Sequence, residues 1–192
     1  MTPSSFQATT LDLLKNYWRI KAANALYRSS TDLTTHRLVY TNVPIVGLVV
    51  NQFASEAVGD AMTALDDFIR RRLPRDLFLA IIAEFEGRLT ARLISLGQQP
   101  SGTLGNLQLS IQNQVTLHPE IISDLTEIRE RRNAMIHHAD MAHSRYVSAS
   151  AAVLPRAAPF VNVTVAGDNV TPTEIYLAYA ADVLVRYSNA IG

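Results

Sequence analysis

The chain has no cysteine, which removes both a disulfide framework and any thiolate metal site. It has no net charge either: 17 basic and 17 acidic residues cancel, so a broad electrostatic grip on nucleic acid is not expected. No apolar run approaches the roughly 20 residues that a membrane span requires. The opening Met1-Thr2-Pro3-Ser4-Ser5-Phe6 lacks the basic start and apolar stretch of a secretory signal, so a cytoplasmic protein with no membrane partner is expected. Gly102-Thr103-Leu104-Gly105 lacks the lysine of a phosphate-cradling loop. Internal repeats and low-complexity tracts are absent.

What is present is a chain of 192 residues, 48% hydrophobic and 18% charged, long enough for one domain over residues 1–192 with a sizeable core. Helical spacing of apolar residues dominates. Residues 4–28 read as a first helix packing through Leu11, Leu14, Trp18, Ala22 and Ala25. Residues 55–72 read as a second, with Val58, Met62, Leu65, Phe68 and Ile69 inward, and Pro74 either ends it or begins the next. Residues 75–96 form the clearest amphipathic helix, with Phe78, Ile81, Ile82, Phe85, Leu89, Arg92 and Leu93 on one face and Glu86 at its margin. A turn-rich linker over 97–105 and a short helix over 107–115 precede the helix that begins at Pro119. The β-branched runs at 36–50 read as a hairpin or extended segment, and the alternation Phe160-Val161-Asn162-Val163-Thr164-Val165 as a strand before a Gly167-Asp168-Asn169 turn. Thr171-Pro172-Thr173-Glu174 has the form of a capping box, opening a last helix that runs to about Asn189. The expected fold is mainly α, a helical bundle with short β or extended segments near 36–50 and 160–166. No function is read from residues 147–170.

The chemistry gathers late on the Pro119 helix. Ile121, Leu125, Ile128, Met135 and Ile136 fall on one stripe, and Arg132 lies among them, where a guanidinium is costly unless something meets it. Asn133 and His137 are four apart and therefore neighbours, with Arg129 on the near shoulder. Glu86 is the carboxylate better placed to meet Arg132; a surface pair with Arg88, Thr90 or Arg92 is the alternative. Two basic clusters stand out: Arg70, Arg71, Arg72 and Arg75, readable as a solvated helix end or as phosphate ligands, and Arg129, Arg131, Arg132 and Arg145 beside the motif. His138, Asp140 and His143 do not share one face as a metal set would, so neither metal nor cofactor is expected. His36 and His118 read as a loop residue and a helix-start residue.

Arg132-Asn133-Ala134-Met135-Ile136-His137 resembles the Arg-Asn-x-x-x-His motif of the HEPN superfamily, and Phe85-Glu86 resembles the Phe-Glu on an earlier helix of several of its branches. The resemblance extends over about residues 51–143. It implies a HEPN-like helical bundle, often a metal-independent ribonuclease of toxin–antitoxin or phage-defence systems, assembled as a homodimer. Arg132, Asn133 and His137 would then be the catalytic set, supported by Glu86 and Arg129, with RNA as substrate and an antitoxin protein as a further partner. In such a site the imidazole, whose ordinary pKa is about 6.5, moves a proton while the guanidinium bridges phosphate oxygens. A non-catalytic HEPN-like module that binds a nucleotide or a protein is the alternative.

Overall fold

Pro119 sets the start of the helix around which the larger part of the molecule is arranged. Its missing N–H falls where no intrahelical partner exists, and His118, the preceding residue, accepts the Glu120 amide at 3.3 Å as the cap. In the computed structural model, which describes residues 5–30, 37–40, 54–162 and 164–192, this helix is α5, Pro119–His137. The other elements are α1 (Ser5–Ser30), β1 (Arg37–Tyr40), β2 (Ala54–Ala57), α2 (Val58–Asp67), a π-helical turn (Phe68–Arg72), α3 (Leu73–Ser95), α4 (Leu104–Gln112), α6 (Ser144–Ala157) and α7 (Glu174–Ile191). The protein is mainly helical, as its apolar spacing predicts. The chain read as one domain over residues 1–192 divides by its contacts into two compact units: α1 through Leu14 together with Pro74–Gly192, and Lys15–Leu73.

In the larger unit, α5 packs against α6 and α7. Phe78, Ile81, Ile82, Phe85, Leu89 and Leu93 of α3 are buried as their spacing requires. The Phe85 ring meets Phe6 at 5.7 Å and Tyr187 at 5.6 Å, and Phe78 meets Tyr176 at 5.7 Å. Each such side chain contributes about 1.5–3 kcal/mol on burial. α3 stops at Gly97, whose φ of +72° suits glycine. The amides of Gly97 and Gln98 return to the carbonyls of Ile94 and Leu93, both at 2.9 Å, closing the end of the helix.

In the smaller unit, β1 and β2 form an antiparallel pair, with Arg37 opposite Ala57 and Tyr40 opposite Ala54. Asp66 of α2 accepts from Asn24 at 2.7 Å and pairs with Arg28 at 2.6 Å, tying α1 to α2. The π-helical turn ends just ahead of Pro74. A proline lacks the amide a helix needs and crowds the carbonyl four residues back, and a widened turn relieves both.

Several expectations are corrected. Residues 55–57, read as the start of the second helix, belong instead to β2. The part of the 36–50 segment at 37–40 is strand, whereas the Ile45–Val50 run lies outside the described residues. The strand expected near 160–166 does not form among the described residues, because nothing there offers a ladder; the chain turns at Ala166–Gly167 instead, where Gly167 has φ +93°. The reading also missed α6, whose Tyr146, Ala149, Ser150, Val153 and Ala157 are buried at helical spacing. On α1, Leu11 and Trp18 are exposed, and Phe6, Thr10 and Tyr17 are the buried side chains. The cap of α7 is Thr173, which accepts the Tyr176 amide at 3.2 Å, rather than Thr171.

Candidate active-site cleft

The arginine at the centre of the buried face of α5 is Arg131, not Arg132. Burial there follows Leu125, Ile128, Ala134 and Met135 but also takes in Glu127 and Arg131, four apart and bonded at 3.1 Å. Glu127, wholly buried, accepts from Tyr146 at 3.1 Å and from Tyr176 at 2.7 Å. Arg131 donates to the Val170 carbonyl at 2.9 Å and lies 3.7 Å from the centre of the Tyr176 ring. Burial first, then the neighbouring Glu127 carboxylate, holds the Tyr176 hydroxyl well above its ordinary pKa, so it remains a donor. This network joins α5, α6 and α7 through charge-assisted hydrogen bonds.

Arg132 is thereby released to the other edge of α5. Its side chain is 25% exposed and its guanidinium lies 3.6 Å from Glu86 of α3, so the ion pair expected between these residues is present; its second nitrogen donates to Asn133 at 3.4 Å. Ile136, counted on the buried stripe, is exposed.

Beside this edge opens a cleft of about 650 Å³ that brings Arg132, Asn133, His137 and Arg129 together. Glu86 does not line it but holds Arg132 from behind. Thr103, Leu104 and Gly105, at the start of α4, form one rim, and Ser144 and Arg145, in the first turn of α6, form another, where the helix dipole favours anions. Arg129 donates to Gln108 at 2.8 Å and to Glu130 at 3.0 and 3.1 Å. Arg145 makes no ion pair among the described residues. Three arginines and one carboxylate, Glu130, thus line the cleft of a protein whose net charge is zero. A shallower groove of about 450 Å³ continues from it between α5 and α6, past Thr126 and Ser148.

The end of α5 is shaped by strain. Ala139 and Asp140 have φ of +51° and +62°, a left-handed conformation that costs a non-glycine residue about 1–2 kcal/mol. Arg75 holds it: its Nε donates to Asp140 at 3.0 Å and its Nη2 to the Met135 carbonyl at 3.1 Å. The Val170 amide donates to the Asp140 carbonyl at 2.8 Å, and the Ala142 amide to the Asp168 carbonyl at 2.7 Å. Arg75 is therefore a clamp within its basic cluster, while Arg70 and Arg72 are exposed and Arg71 pairs with Asp67 at 2.8 Å. Arg75→Ala should lower the unfolding free energy by about 1–2 kcal/mol, less than a fully buried charged pair because the side chain is one-third exposed. Arg75→Lys should recover little, since an ammonium does not bridge two acceptors as a guanidinium does. Urea melts of both variants check this; a change under about 0.5 kcal/mol in Arg75→Ala would mean the turn holds itself.

Sequence reading missed three members of the cleft's wall, Glu130, His138 and His143. The His138 and His143 rings lie with centroids 4.5 Å apart, tilted by 41° to one another. His143 caps α6 by accepting the Tyr146 amide at its Nδ1, so a neutral ring carries its proton on Nε2, 3.8 Å from Glu130. That nitrogen is buried without a hydrogen-bond partner. Burial, then His138 and Arg145, lower the His143 pKa against the opposing pull of Glu130. In the unfolded chain a histidine takes up a proton near pH 6.5. Below that pH the unfolded state binds more protons than the folded one, so stability should fall as pH falls, until His143 itself is protonated. Asn at position 143 can keep the cap; thermal melts between pH 7.5 and 5.0 should show a shallower loss for His143→Asn than for the parent, and equal slopes would contradict the assignment.

Asp140, weighed with His138 and His143 as a metal set, gives its carboxylate to Arg75. Among the described residues no group of three or more His, Cys, Asp or Glu is arranged to hold a metal ion, and no described helix is long and apolar enough to cross a membrane. No family model, curated protein or solved structure matches the chain.

Proposed function

We propose that this chain is a metal-independent endoribonuclease of HEPN type. The observation that carries the reading is the convergence of Arg132, Asn133 and His137 in one cleft with Arg129 and the ion-pair-free Arg145. Cleavage would use the substrate's own 2′-hydroxyl. A base removes its proton, the oxygen attacks phosphorus, a cation balances the charge gathering on the phosphoryl oxygens, and the 5′-oxygen leaves with a proton from an acid. His137, at the exposed end of α5, makes no side-chain hydrogen bond to another described residue and is free to exchange a proton with a ligand. Arg132, pinned by Glu86 and Asn133, presents a fixed fork to phosphate oxygens. The groove between α5 and α6 extends the cleft past Thr126 and Ser148, along Arg129 and Arg145.

The same reading includes a cytoplasmic toxin or phage-defence role, a homodimer that sets a second Arg132 and His137 beside the first, and an antitoxin protein as the physiological restraint. Incubation of the purified protein with total RNA in EDTA should yield fragments with 2′,3′-cyclic phosphate and 5′-hydroxyl ends. Light scattering should give twice the chain mass. Cleavage that requires a divalent metal would reject the mechanism. A second reading, a binding module without catalysis, draws on the carboxylates already paired with Arg129 and Arg132; RNA binding with no cleavage of any RNA would select it.

A further inference from the structure

Within one chain the motif supplies one imidazole, and a reaction of this kind needs two proton transfers, so either the motif of a second copy or another histidine of the same chain completes it. The second imidazole in the same wall is His138. It is the residue at which α5 gives way, with φ −127° and ψ 24°, and the strained pair Ala139 and Asp140 follows it. Without that turn the chain would have no means of leaving α5 so abruptly, and two non-glycine residues in a left-handed conformation mark a place where the surroundings dictate the backbone. Arg75 and the amide of Val170 supply that constraint. The product of the constraint is an exposed His138 ring 4.5 Å from the His143 ring and tilted by 41° to it, lining the same cleft as His137.

His143 itself is not free to move a proton. Its Nδ1 is occupied by the Tyr146 amide, and its Nε2 is buried beside Glu130. It is a neighbour with both nitrogens engaged or covered, beside an exposed His138 ring that is the one open to a ligand. The charged and titratable groups that line the wall around the pair are Arg129, Glu130, Arg132 and His137 from α5 and Arg145 from α6.

We propose that His138 is the second proton-transfer group of this cleft, acting as the acid for the departing 5′-oxygen while His137 acts as the base, so that acid and base come from one chain. The assignment rests on the ribonuclease reading above. In the step, His137 takes the 2′-hydroxyl proton and the 2′-oxygen forms its bond to phosphorus. The bond from phosphorus to the 5′-oxygen breaks, and that oxygen receives the proton of His138. The products are a 2′,3′-cyclic phosphate and a 5′-hydroxyl; water returns the two imidazoles to their starting states. His143 is a positioning residue.

The test uses the full chain and two matched oligonucleotides with a single cleavable ribonucleotide, one with the natural 5′-oxygen at the scissile phosphate and one with sulfur in its place. A thiolate leaves without protonation, so loss of the acid is masked on the sulfur substrate and loss of the base is not. His138→Ala and His138→Gln should each cleave the oxygen substrate about 10²-fold more slowly, the usual cost of a missing proton-transfer group, and fall within about tenfold of the parent on the sulfur substrate. His137→Ala should remain impaired on both. Thermal melts of both His138 variants should match the parent, the ring being exposed. Parent-like cleavage of the oxygen substrate by His138→Ala, or equal impairment on both substrates, overturns the assignment while leaving the ribonuclease reading in place. A parent that cleaves neither substrate overturns both.

Discussion

Glu127→Ala should lower the unfolding free energy by about 3–5 kcal/mol, because it leaves the Arg131 guanidinium buried without its counter-charge and strands the hydroxyls of Tyr146 and Tyr176. Domains of ordinary stability have only about 5–15 kcal/mol in total, so the variant should be largely unfolded at 37 °C or close to it. Glu127→Gln keeps an acceptor for the tyrosines and should lose less. Replacing both partners, Glu127→Leu with Arg131→Met, should cost less than the sum of the two single changes, since neither then leaves a buried charge alone. Urea midpoints at an unchanged slope are the measurement. A loss below about 1 kcal/mol in Glu127→Ala would mean that water reaches the network.

His137→Ala should slow RNA cleavage about 10²-fold or more while leaving the fold and RNA affinity nearly unchanged, the pattern of a lost proton-transfer group. Arg132→Ala should lose activity and also bind more weakly, with the salt dependence of binding falling by about one phosphate contact. Its effect on stability should be under about 1 kcal/mol, because the Glu86 pair is partly exposed and 3.6 Å long. Adjacent arginines thus divide the work: Arg131→Ala should unfold the protein, and Arg132→Ala should silence the folded one. Initial rates, binding isotherms across salt and urea melts on the same preparations separate the two. Cleavage that survives both His137→Ala and Arg132→Ala would remove the motif from the chemistry.

That division was only half legible in the sequence. α5 is readable from Pro119 to His137 because a proline start, a helical stripe and a run of good helix formers agree. Glu86 meeting Arg132 follows from two amphipathic helices whose margins face each other. The stripe itself was drawn through apolar residues alone, which placed Arg132 at its centre. The true centre carries Glu127 and Arg131, and the available signal was their spacing of four, which allows a carboxylate and a guanidinium to be buried as a pair. α6 was hidden by small residues: Ala149, Ser150 and Ala157 mark a buried face as surely as leucine does, but they carry little weight in a hydropathy pattern. The alternation at 160–165 misled for the opposite reason. Period-two patterning describes which side chains face inward only if a partner strand exists, and here Val161 is buried while Phe160 and Val165 remain exposed on an irregular segment. The approach of His138 to His143 depends on two left-handed residues and a clamp from a distant helix, none of which leaves a mark on local periodicity.

His143 joins two requirements in one side chain. The atom that closes the first turn of α6 and the ring that lies against His138 belong to the same imidazole. In a saturation library, position 143 should therefore partition unlike any other in the cleft: Asn, Ser and Asp survive a screen for folding yet forfeit the ring beside His138, and aromatic replacements that restore a ring forfeit the cap. On the proposed reading the start of α6 and the cleft depend on one residue, and a variant freed of the proposed reaction would be expected to accept the commoner capping residues here first.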